Sequence, residues 1–256
     1  MTAVSGTVYL TGAGPGDPDL LTVRAQRLIS TTDAVFHDDL VPQSILQLCR
    51  PNAAIVSVGK RCGIKSITQK QINEALVTAA RSGKSVVRLK SGDPMLYGRA
   101  TEELTALERE QIPYEVIPGV SALFAVAASM RLPLTDRLSA SRLIVLTGHR
   151  AAEQRTMPLW EGAFPQDATI AIYMPGSDYS RLQESLSDSG LPRDMPCLIV
   201  SCAGTEWQQS VHTTLAALPS QTPLPAPVIL VLGRNCEPYS DNGATVSTVA
   251  YDRRGG

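Results

Sequence analysis

The chain has 256 residues, of which 43% are hydrophobic and 18% are charged, and its formal net charge is −1. This composition is typical of a folded globular protein and excludes a disordered chain. The near-neutral charge argues against nucleic acid or a membrane surface as the main partner. The length exceeds that of most single domains, so two domains are expected.

The charges are unevenly distributed along the chain. Residues 1–150 contain 17 Lys and Arg against 13 Asp and Glu, whereas residues 151–256 contain 6 against 11. The skew is compatible with ordinary surface solubility. It is equally compatible with an anionic ligand that meets the first half of the chain.

The spacing of the cysteines and histidines indicates the cellular compartment of the protein and whether it binds a metal ion. The odd number of five cysteines, without a CxxC pair, predicts reduced thiols in a cytoplasm. The three histidines lie far apart and form no HxxxH or HExxH pair, so no bound metal is predicted. The N-terminal MTAVSGTVYL and the five-residue run Val228–Leu232 predict neither a secretion signal nor a membrane span.

Along the chain, short β-branched runs alternate with helical patterns, which is typical of a mainly parallel sheet. In the first half, the predicted strands are Val8–Thr11, Ala34–His37, Ile55–Val58, Ser85–Leu89 and Tyr114–Ile117. The predicted helices are Leu20–Ile29, Ser44–Leu48, Thr68–Arg81 and Thr101–Arg109. Either Ser66 or Thr68 can cap the third helix, because a glutamine follows each of them three residues later. Gly83 suits the C-terminal end of that helix.

The dipeptide Pro118-Gly119 interrupts the pattern and separates two predicted αβ domains, 1–118 and 119–256. A small apolar helix is predicted over Val120–Met130. A second series of strands follows at Leu143–Leu146, Thr169–Met174, Cys197–Ser201, Ser210–Thr213 and Val228–Leu232. The fold class is therefore α/β.

The first strand runs into the glycine-rich turn Gly12-Ala13-Gly14-Pro15-Gly16. Such a turn lets the backbone approach a nucleotide-like group, although a tight strand–helix connection explains it equally well. The dinucleotide fingerprint GxGxxG needs glycine where Asp17 stands, which disfavours an NAD-dependent dehydrogenase. No G-K-[ST] follows the turn, so it does not match a phosphate-binding P-loop.

A second turn, Ser91-Gly92-Asp93, follows another predicted strand. Ligands bind beyond the carboxyl ends of strands in open α/β sheets, so both turns are expected to line one crevice. Asp93 is then available to a positive ligand group. A plain Asp-Pro turn is the competing interpretation.

Six blocks in order carry a resemblance to a known family. They are GAGPGDPDLLT from Gly12, VGKR from Val58, RLKSGDPMLYGRATEE from Arg88, VIPGVSA from Val116, LPLTDR from Leu132 and TGH from Thr147. Together they resemble the tetrapyrrole methylase family, most closely its members that methylate uroporphyrinogen III. The resemblance extends from Thr7 to about Arg234.

The resemblance implies two αβ domains with S-adenosylmethionine (SAM) in the cleft between them, and a homodimer. It implies SAM-dependent C-methylation of uroporphyrinogen III to precorrin-2 in two successive rounds, with S-adenosylhomocysteine as the spent cofactor. The cofactor contacts that it implies are Pro15, Ser91, Gly92, Asp93, Leu96, Ser121, Ala122, Met174 and Gly204.

The resemblance also implies chemical roles. Asp38 matches a proton acceptor, and Lys60 matches a proton donor or charge partner. The substrate carries eight carboxylates, so its docking surface should be basic. The candidates are Arg61, Arg99, Arg137 and Arg142, with Lys65 and Arg150 nearby. The chain departs from the family pattern at Asp39, Ser91, Ala100-Thr101 and Asp136, and these departures affect the substrate side more than the cofactor blocks.

Other functions stay open at this stage. The same fold and cofactor serve a later corrinoid precursor, diphthamide on a protein or ribose on ribosomal RNA, although RNA would predict a larger basic excess. A SAM- or nucleotide-binding module without catalysis is the alternative from another class. The pathway that uses the product, sirohaem, cobalamin or another, is equally open.

Overall fold

The computed structural model describes residues 3–59, 67–149 and 159–237. The chain divides into two compact units, Met1–Ala122 and Leu123–Gly256. Each unit contains one five-stranded sheet, and the predicted α/β class is confirmed. Within the described ranges, every helix is too short or too polar to cross a bilayer.

The sheet of the first unit is entirely parallel, as the sequence predicts. Its strands are β1 (Val8–Gly12), β2 (Ala34–His37), β3 (Ala54–Ser57), β4 (Val86–Lys90) and β5 (Tyr114–Ile117). Their spatial order is β3-β2-β4-β1-β5. Both central strands, β4 and β1, are buried along their whole length, which explains their largely continuous apolar character.

Four helices cover the two faces of this sheet. They are α1 (Val23–Ile29), α2 (Gln43–Leu46), α3 (Gln69–Arg81) and α4 (Ala100–Arg109). Helices α1 and α2 pack on one face, whereas α3 and α4 pack on the other. Adjacent strands β1 and β4 therefore send their following helices to opposite faces. In open α/β sheets, ligands bind beyond the carboxyl ends of two strands that diverge in this way.

The start of α3 settles the choice of cap. Thr68 Oγ1 accepts the Gln71 N–H at 3.2 Å, and Gln71 Oε1 accepts the Thr68 N–H at 2.9 Å. This reciprocal pair is a capping box, so Thr68 rather than Ser66 starts the helix. Beyond the C-terminus Gly83 takes a φ of +83°, as the prediction requires.

The predicted helix Leu20–Ile29 is wrong at its start. Residues Pro18–Leu20 form a separate 3₁₀ turn, in which Asp17 Oδ1 accepts the Asp19 N–H at 3.0 Å. Helix α1 begins only at Val23, because Thr22 Oγ1 accepts the Ala25 N–H at 3.1 Å and caps it there.

Helix α5 (Ala122–Ser129) lies where the first unit ends and the second begins. The sheet of the second unit is mixed, so the mainly parallel sheet predicted along the chain is wrong here. The other elements of this unit are β6 (Arg142–Thr147), β7 (Ala168–Tyr173), α6 (Tyr179–Asp188), β8 (Pro196–Ser201), β9 (Gln209–Thr214) and β10 (Val228–Leu232). The strand order is β6-β7-β10-β8-β9, and only β6 and β7 pair in parallel. The short link from β8 to β9 has no room for a crossover helix, so this pair is antiparallel.

Helix α6 is absent from the predicted elements. Asp178 Oδ1 caps it by accepting the Arg181 N–H at 3.0 Å, and its buried side chains are Tyr179, Leu182 and Leu186. Most of its other residues are polar, so the apolar stripe consists of three positions only. A stripe this narrow is easily read as a loop.

Candidate functional site

Three loops meet at the carboxyl edge of the parallel sheet. The loop after β1 pairs with the loop after β4, because Gly92 N donates to Gly14 O at 2.7 Å and Gly14 N donates to Gly92 O at 3.2 Å. Ala13 N also donates to Lys90 O at 2.7 Å. The two glycine turns that the sequence singles out are thus joined by backbone hydrogen bonds.

The third loop, after β5, packs against the other two through glycine backbones. A Cβ atom placed on Gly119 would lie 2.2 Å from Gly92 O and 2.8 Å from Gly12 Cα. A Cβ atom on Gly12 would lie 2.5 Å from Gly119 Cα. Atoms this close overlap, so only glycine allows the three backbones to approach one another here.

Asp93 ties two of these loops together. Its Oδ2 accepts the Gly119 N–H at 3.0 Å, and its Oδ1 accepts the Met95 N–H at 2.8 Å. A carboxylate has lone pairs beyond these two bonds, so Asp93 retains acceptor capacity for a ligand. The side chain is half-buried at the edge of the sheet.

Other predicted cofactor contacts of the first unit lie near this junction. A Cβ on Gly92 would be 3.9 Å from both Ser121 Cα and Ala122 N. Ser121 is buried, and Ala122 is half-buried at the start of α5. The remaining predicted contacts of this unit, Pro15, Ser91 and Leu96, are half-buried in the loops after β1 and β4.

The second unit carries the other two predicted contacts, each in its own loop. Met174 directly follows β7, its N–H donates to Val228 O at 3.2 Å, and 42% of its surface is exposed. Gly204 follows β8 with a φ of +76°, and its N–H donates to Gln208 Oε1 at 3.0 Å.

Backbone strain is concentrated in these segments. Within the described ranges, six non-glycine residues have positive φ. Gln111 and Arg131 lie two residues beyond the last residues of α4 and α5, where left-handed residues are ordinary. The other four are Tyr97, Arg99, Met174 and Cys202, and all lie in or beside the segments with predicted contacts. Such conformations persist where surrounding contacts enforce them, and they are enriched at binding sites.

Asp38 lies at the end of β2, next to β4. Its N–H donates to Leu89 O at 3.2 Å, and its Oδ1 accepts a hydrogen bond from Arg88 Nη2. The Asp38 side chain is 32% exposed, whereas that of Arg88 is 3% exposed. Asp38 is thus a surface-accessible carboxylate held by a buried guanidinium. Lys60 and Arg61, the partners predicted next to it, lie outside the described residues.

Behind Asp38 lies a buried cluster of charges. Glu103 is fully buried, and its two carboxylate oxygens each accept one hydrogen bond. Arg88 Nε donates to Oε1 and Lys90 Nζ donates to Oε2, both at 2.9 Å. Gln69 Nε2 donates to Glu103 Oε1 at 3.3 Å. Arg88 Nη1 also donates to Leu89 O at 3.2 Å. The cluster joins β2, β4 and α4 on one face of the sheet.

The pKa values of the two cations of this cluster shift in opposite directions. Burial alone would lower the pKa of Arg88, but the charges of Asp38 and Glu103 and the hydrogen bonds to them raise it above its usual value. Burial lowers the pKa of Lys90, and the like charge of Arg88 adds to this effect. Arg88 therefore remains charged under all ordinary conditions.

No sequence motif indicates a role for Arg88, Lys90 or Glu103. A signal for two of them is present, since Arg88 and Lys90 alternate with apolar residues in a central strand and so point to one buried face. A buried charge requires a partner. The sequence does not identify that partner as Glu103, one helix further on.

The predicted substrate arginines differ in their surroundings. Arg99 forms a two-bond pair with Glu102, with Nε–Oε1 and Nη2–Oε2 distances of 2.7 Å, and this hydrogen bonding raises its pKa. Arg142 Nη1 lies 3.5 Å from Asp167 Oδ1. Arg137 is exposed. The structure does not bring these three together by any described contact.

Among the described residues, His, Cys, Asp and Glu form no group of three that would suit a metal ion. The charges near the loops instead form pairs with one another. The part of the chain that the structure describes thus presents backbone loops and the partly exposed carboxylates of Asp38 and Asp93 at this edge.

The parallel sheet and the loops at its strand ends define an α/β protein with a candidate ligand site at the carboxyl edge of its first sheet. A family model, Tetrapyrrole (Corrin/Porphyrin) Methylases, matches residues 7–219. The chain belongs to this family, and the resemblance found in the sequence is confirmed.

Individual relatives agree with this assignment. The chain is 42% identical over 231 residues to the uroporphyrinogen-III C-methyltransferase of Paracoccus denitrificans, which covers 89% of this chain and 80% of the relative. It is 42% identical over 234 residues to siroheme synthase 1 of Halorhodospira halophila, covering 90% of this chain but only 48% of that relative. The chain thus spans about half the length of the latter.

A solved structure is similar in fold as well as in sequence. The uroporphyrin-III C-methyltransferase of Thermus thermophilus, complexed with S-adenosylhomocysteine, has a TM-score of 0.77 and 32% identity. The match covers 94% of this chain and 97% of the Thermus chain.

Proposed function

We propose that this protein transfers methyl groups from SAM to ring carbons of uroporphyrinogen III, in two successive rounds, and so forms precorrin-2. The observation that carries the proposal is the junction of three backbone loops, after β1, β4 and β5, beside the accessible carboxylate of Asp38. The relatives that bear this activity in their names share the whole matched region with this chain.

The residues at the junction suit a sulfonium nucleoside. Gly92 carries no side chain beside Ser121 and Ala122, so a ligand can lie directly on the backbone there. Asp93 supplies a negative charge to a cationic amino acid group. We assign Pro15, Ser91 and Leu96 to the same surface. From the family resemblance we also assign cofactor contact to Met174 and Gly204, in the loops after β7 and β8. The sulfonium supplies an already activated methyl group, so the protein's task is alignment.

Asp38 removes the proton that methylation makes acidic. A pyrrole carbon that accepts a methyl group leaves the macrocycle positively charged, and loss of one proton restores its neutral π system. Asp38 is exposed enough to meet that proton, and Arg88 holds it at the strand end. Lys60 belongs to this proposal as a charge partner. Its evidence is the sequence block alone, as it lies outside the described residues.

Basic side chains hold the carboxylates at the rim of the macrocycle. Arg137 is exposed and available, and we assign it together with Arg99, Arg142 and Arg61 to this role. Arg99 and Arg142 already face Glu102 and Asp167, so a substrate carboxylate has to compete with or join those pairs.

The test of the proposed function combines SAM with enzymatically made uroporphyrinogen III under anaerobic conditions. We expect the mass of the tetrapyrrole to increase by one and then by two methyl groups. One molecule of S-adenosylhomocysteine should form for each methyl group transferred. Calorimetry should detect binding of both SAM and S-adenosylhomocysteine to the folded protein. Binding without any mass gain would identify a non-catalytic SAM module.

The acceptor is tested by the same assay with other substrates. Precorrin-2 and the diphthamide-precursor protein serve as rival acceptors, because the same fold and cofactor suit each of them. Faster methylation of either than of uroporphyrinogen III would overturn the proposed substrate and leave SAM-dependent methyl transfer intact.

We propose further that two copies associate as a homodimer. All four residues of the edge strand β3 are exposed, and Ile55 and Val56 are 45% and 36% exposed. Leu40, in the loop after β2, is 56% exposed. Exposed apolar side chains at a sheet edge are typical of a surface that another chain covers. Light scattering that gives the 27.4 kDa of one chain at micromolar concentration would contradict a dimer.

The thiols support the cytoplasm as the compartment. Cys49, Cys197, Cys202 and Cys236, which are the cysteines of the described part of the chain, are free. Burial raises the pKa of Cys236 to about 12, so this thiol is unreactive at neutral pH. Free thiols are the normal state in a reducing compartment. A disulfide in protein isolated without reductant from its native cell would argue against this localisation.

A further inference from the structure

The buried charges behind Asp38 need an explanation that cofactor contact does not supply. Arg88, Lys90 and Glu103 are all at most 2% exposed, so none of them presents a surface to a ligand. Ion pairs this deeply buried contribute little net stability, because desolvation offsets most of their attraction. Apolar side chains of similar size would fill the same space at no electrostatic cost.

From this cluster we infer that Glu103 and Arg88 are positioning residues, which fix the Asp38 carboxylate at the carboxyl edge of the sheet for proton removal. The inference rests on the proposed function, since it concerns the group that takes the proton. It adds two residues that touch neither cofactor nor substrate and act only through Asp38.

The geometry of Arg88 supports this role. Its guanidinium uses Nε toward Glu103 and Nη2 toward Asp38, while Nη1 donates to the Leu89 carbonyl at 3.2 Å. A planar guanidinium bound on three sides cannot rotate without losing at least one of these bonds. The direction of the Nη2–H that Asp38 accepts is therefore set by Glu103 together with the Leu89 carbonyl.

Glu103 in turn is fixed from a different element. It lies on α4, whereas both cations lie on β4, and each of its oxygens accepts one of them at 2.9 Å. Gln69 of α3 adds a third bond at 3.3 Å. The position of Asp38 at the end of β2 thus depends on contacts from a neighbouring strand and, through Glu103 and Gln69, from two helices. A strand-end loop held only by its own backbone would move more freely.

The charges of the cluster also balance. Asp38 and Glu103 are acidic and Arg88 and Lys90 are basic, so the four formal charges cancel. Three of the four groups, Arg88, Lys90 and Glu103, are buried where water screens their charges little. Loss of the Glu103 charge leaves two cations facing Asp38 alone, which draws that carboxylate inward, away from the exposed edge.

The test is the isosteric substitution Glu103→Gln in the full-length protein. We expect kcat to fall by about 10- to 100-fold, as catalytic groups displaced by an ångström do. The KM for uroporphyrinogen III and the dissociation constant of SAM should stay within about twofold, because Glu103 contacts neither. Circular dichroism reports whether the variant is folded.

A double substitution separates positioning from a general structural effect. If Glu103 acts only through Asp38, then Asp38→Asn combined with Glu103→Gln loses no more activity than Asp38→Asn alone. Glu108→Gln on the same helix is the matched control. Glu108 is exposed, accepts the Tyr114 hydroxyl at 2.6 Å, and should leave kcat unchanged. If the Glu103→Gln protein fails to fold, Arg88→Lys takes its place in the comparison of single and double variants, because it keeps the positive charge of residue 88.

The outcomes distinguish the two proposals. Multiplicative losses in the double variant, or a Glu103→Gln protein with normal kcat, overturn the positioning inference while the proposed function stands. Unchanged turnover in Asp38→Asn overturns the proton-acceptor assignment and the inference with it. Equal losses in the single and double variants, with unaltered SAM binding, support both.

Discussion

Replacing Asp38 by asparagine should lower kcat for methyl transfer to uroporphyrinogen III by about 10²- to 10⁴-fold, which is the usual contribution of a general base. Asparagine has nearly the same shape and can still accept the Arg88 Nη2–H at its carbonyl oxygen. It cannot take a proton from the methylated macrocycle. The expected defect is therefore chemical, and the loops that bind SAM stay in place.

The measurement is a pair of assays on the same preparation. Initial rates with saturating SAM give kcat, and calorimetry gives the dissociation constant of SAM, which should not change. A methylated but still cationic product that accumulates during the first turnover would locate the block at proton removal. Wild-type kcat in Asp38→Asn would remove Asp38 from the mechanism.

Asp33→Asn provides the matched control, because Asp33 directly precedes the same strand at the opposite edge of the sheet. The Ser85 N–H and hydroxyl, at 2.9 and 2.7 Å, lower the pKa of Asp33. A lowered folded-state pKa means stability that is present above the unfolded value and is lost as pH falls through the folded value. The control should therefore lose some stability at neutral pH and keep its kcat.

The strand-end loops could be predicted from sequence because local rules determine them. Glycines after a β-branched run mark a backbone turn, and parallel strands bring their carboxyl ends to one edge. The predicted turns at Gly12–Gly16 and Ser91–Asp93 do meet there, through the bonds between Gly14 and Gly92. Asp38 reaches the same edge because β2 is the neighbour of β4.

Contacts between residues that are far apart in the sequence could not be predicted from such local rules. No local signal connects Glu103 to Arg88 across 15 residues, or Gly119 to Gly12 across more than 100, since both depend on how elements pack. The direction of strands in the second sheet was missed for the same reason. There, β10 inserts between β7 and β8, and only the completed sheet shows that it runs antiparallel to both.

Gly119→Ala should be the most disruptive conservative change at the loop junction. The added methyl would lie 2.2 Å from Gly92 O and within 3.0 Å of two Gly12 atoms, all of them backbone. Backbone cannot rotate aside as a side chain can, so the loops after β1, β4 and β5 must separate. Overpacking of this kind costs about 1–3 kcal/mol of stability.

Loop separation should also reduce SAM affinity. The Asp93–Gly119 hydrogen bond at 3.0 Å joins two of the three loops, and a shift of about 1 Å would break it and displace Gly92 from the ligand. Loss of a hydrogen bond to a charged group costs about 1.5–3 kcal/mol, so the dissociation constant of SAM should rise by about 10- to 100-fold. Calorimetric titration with SAM and urea unfolding measure the two effects separately.

Gly6→Ala is the control, since its φ of +72° makes alanine strained, but the nearest atom to the new methyl, Ala80 O, is 3.7 Å away. It should cost roughly 1–2 kcal/mol of stability through backbone strain alone and leave SAM affinity unchanged. Because both variants add one methyl group to a glycine of the first unit, their difference isolates the loop junction. Wild-type SAM affinity in Gly119→Ala would show that the close approach of the three loops does not form the binding surface.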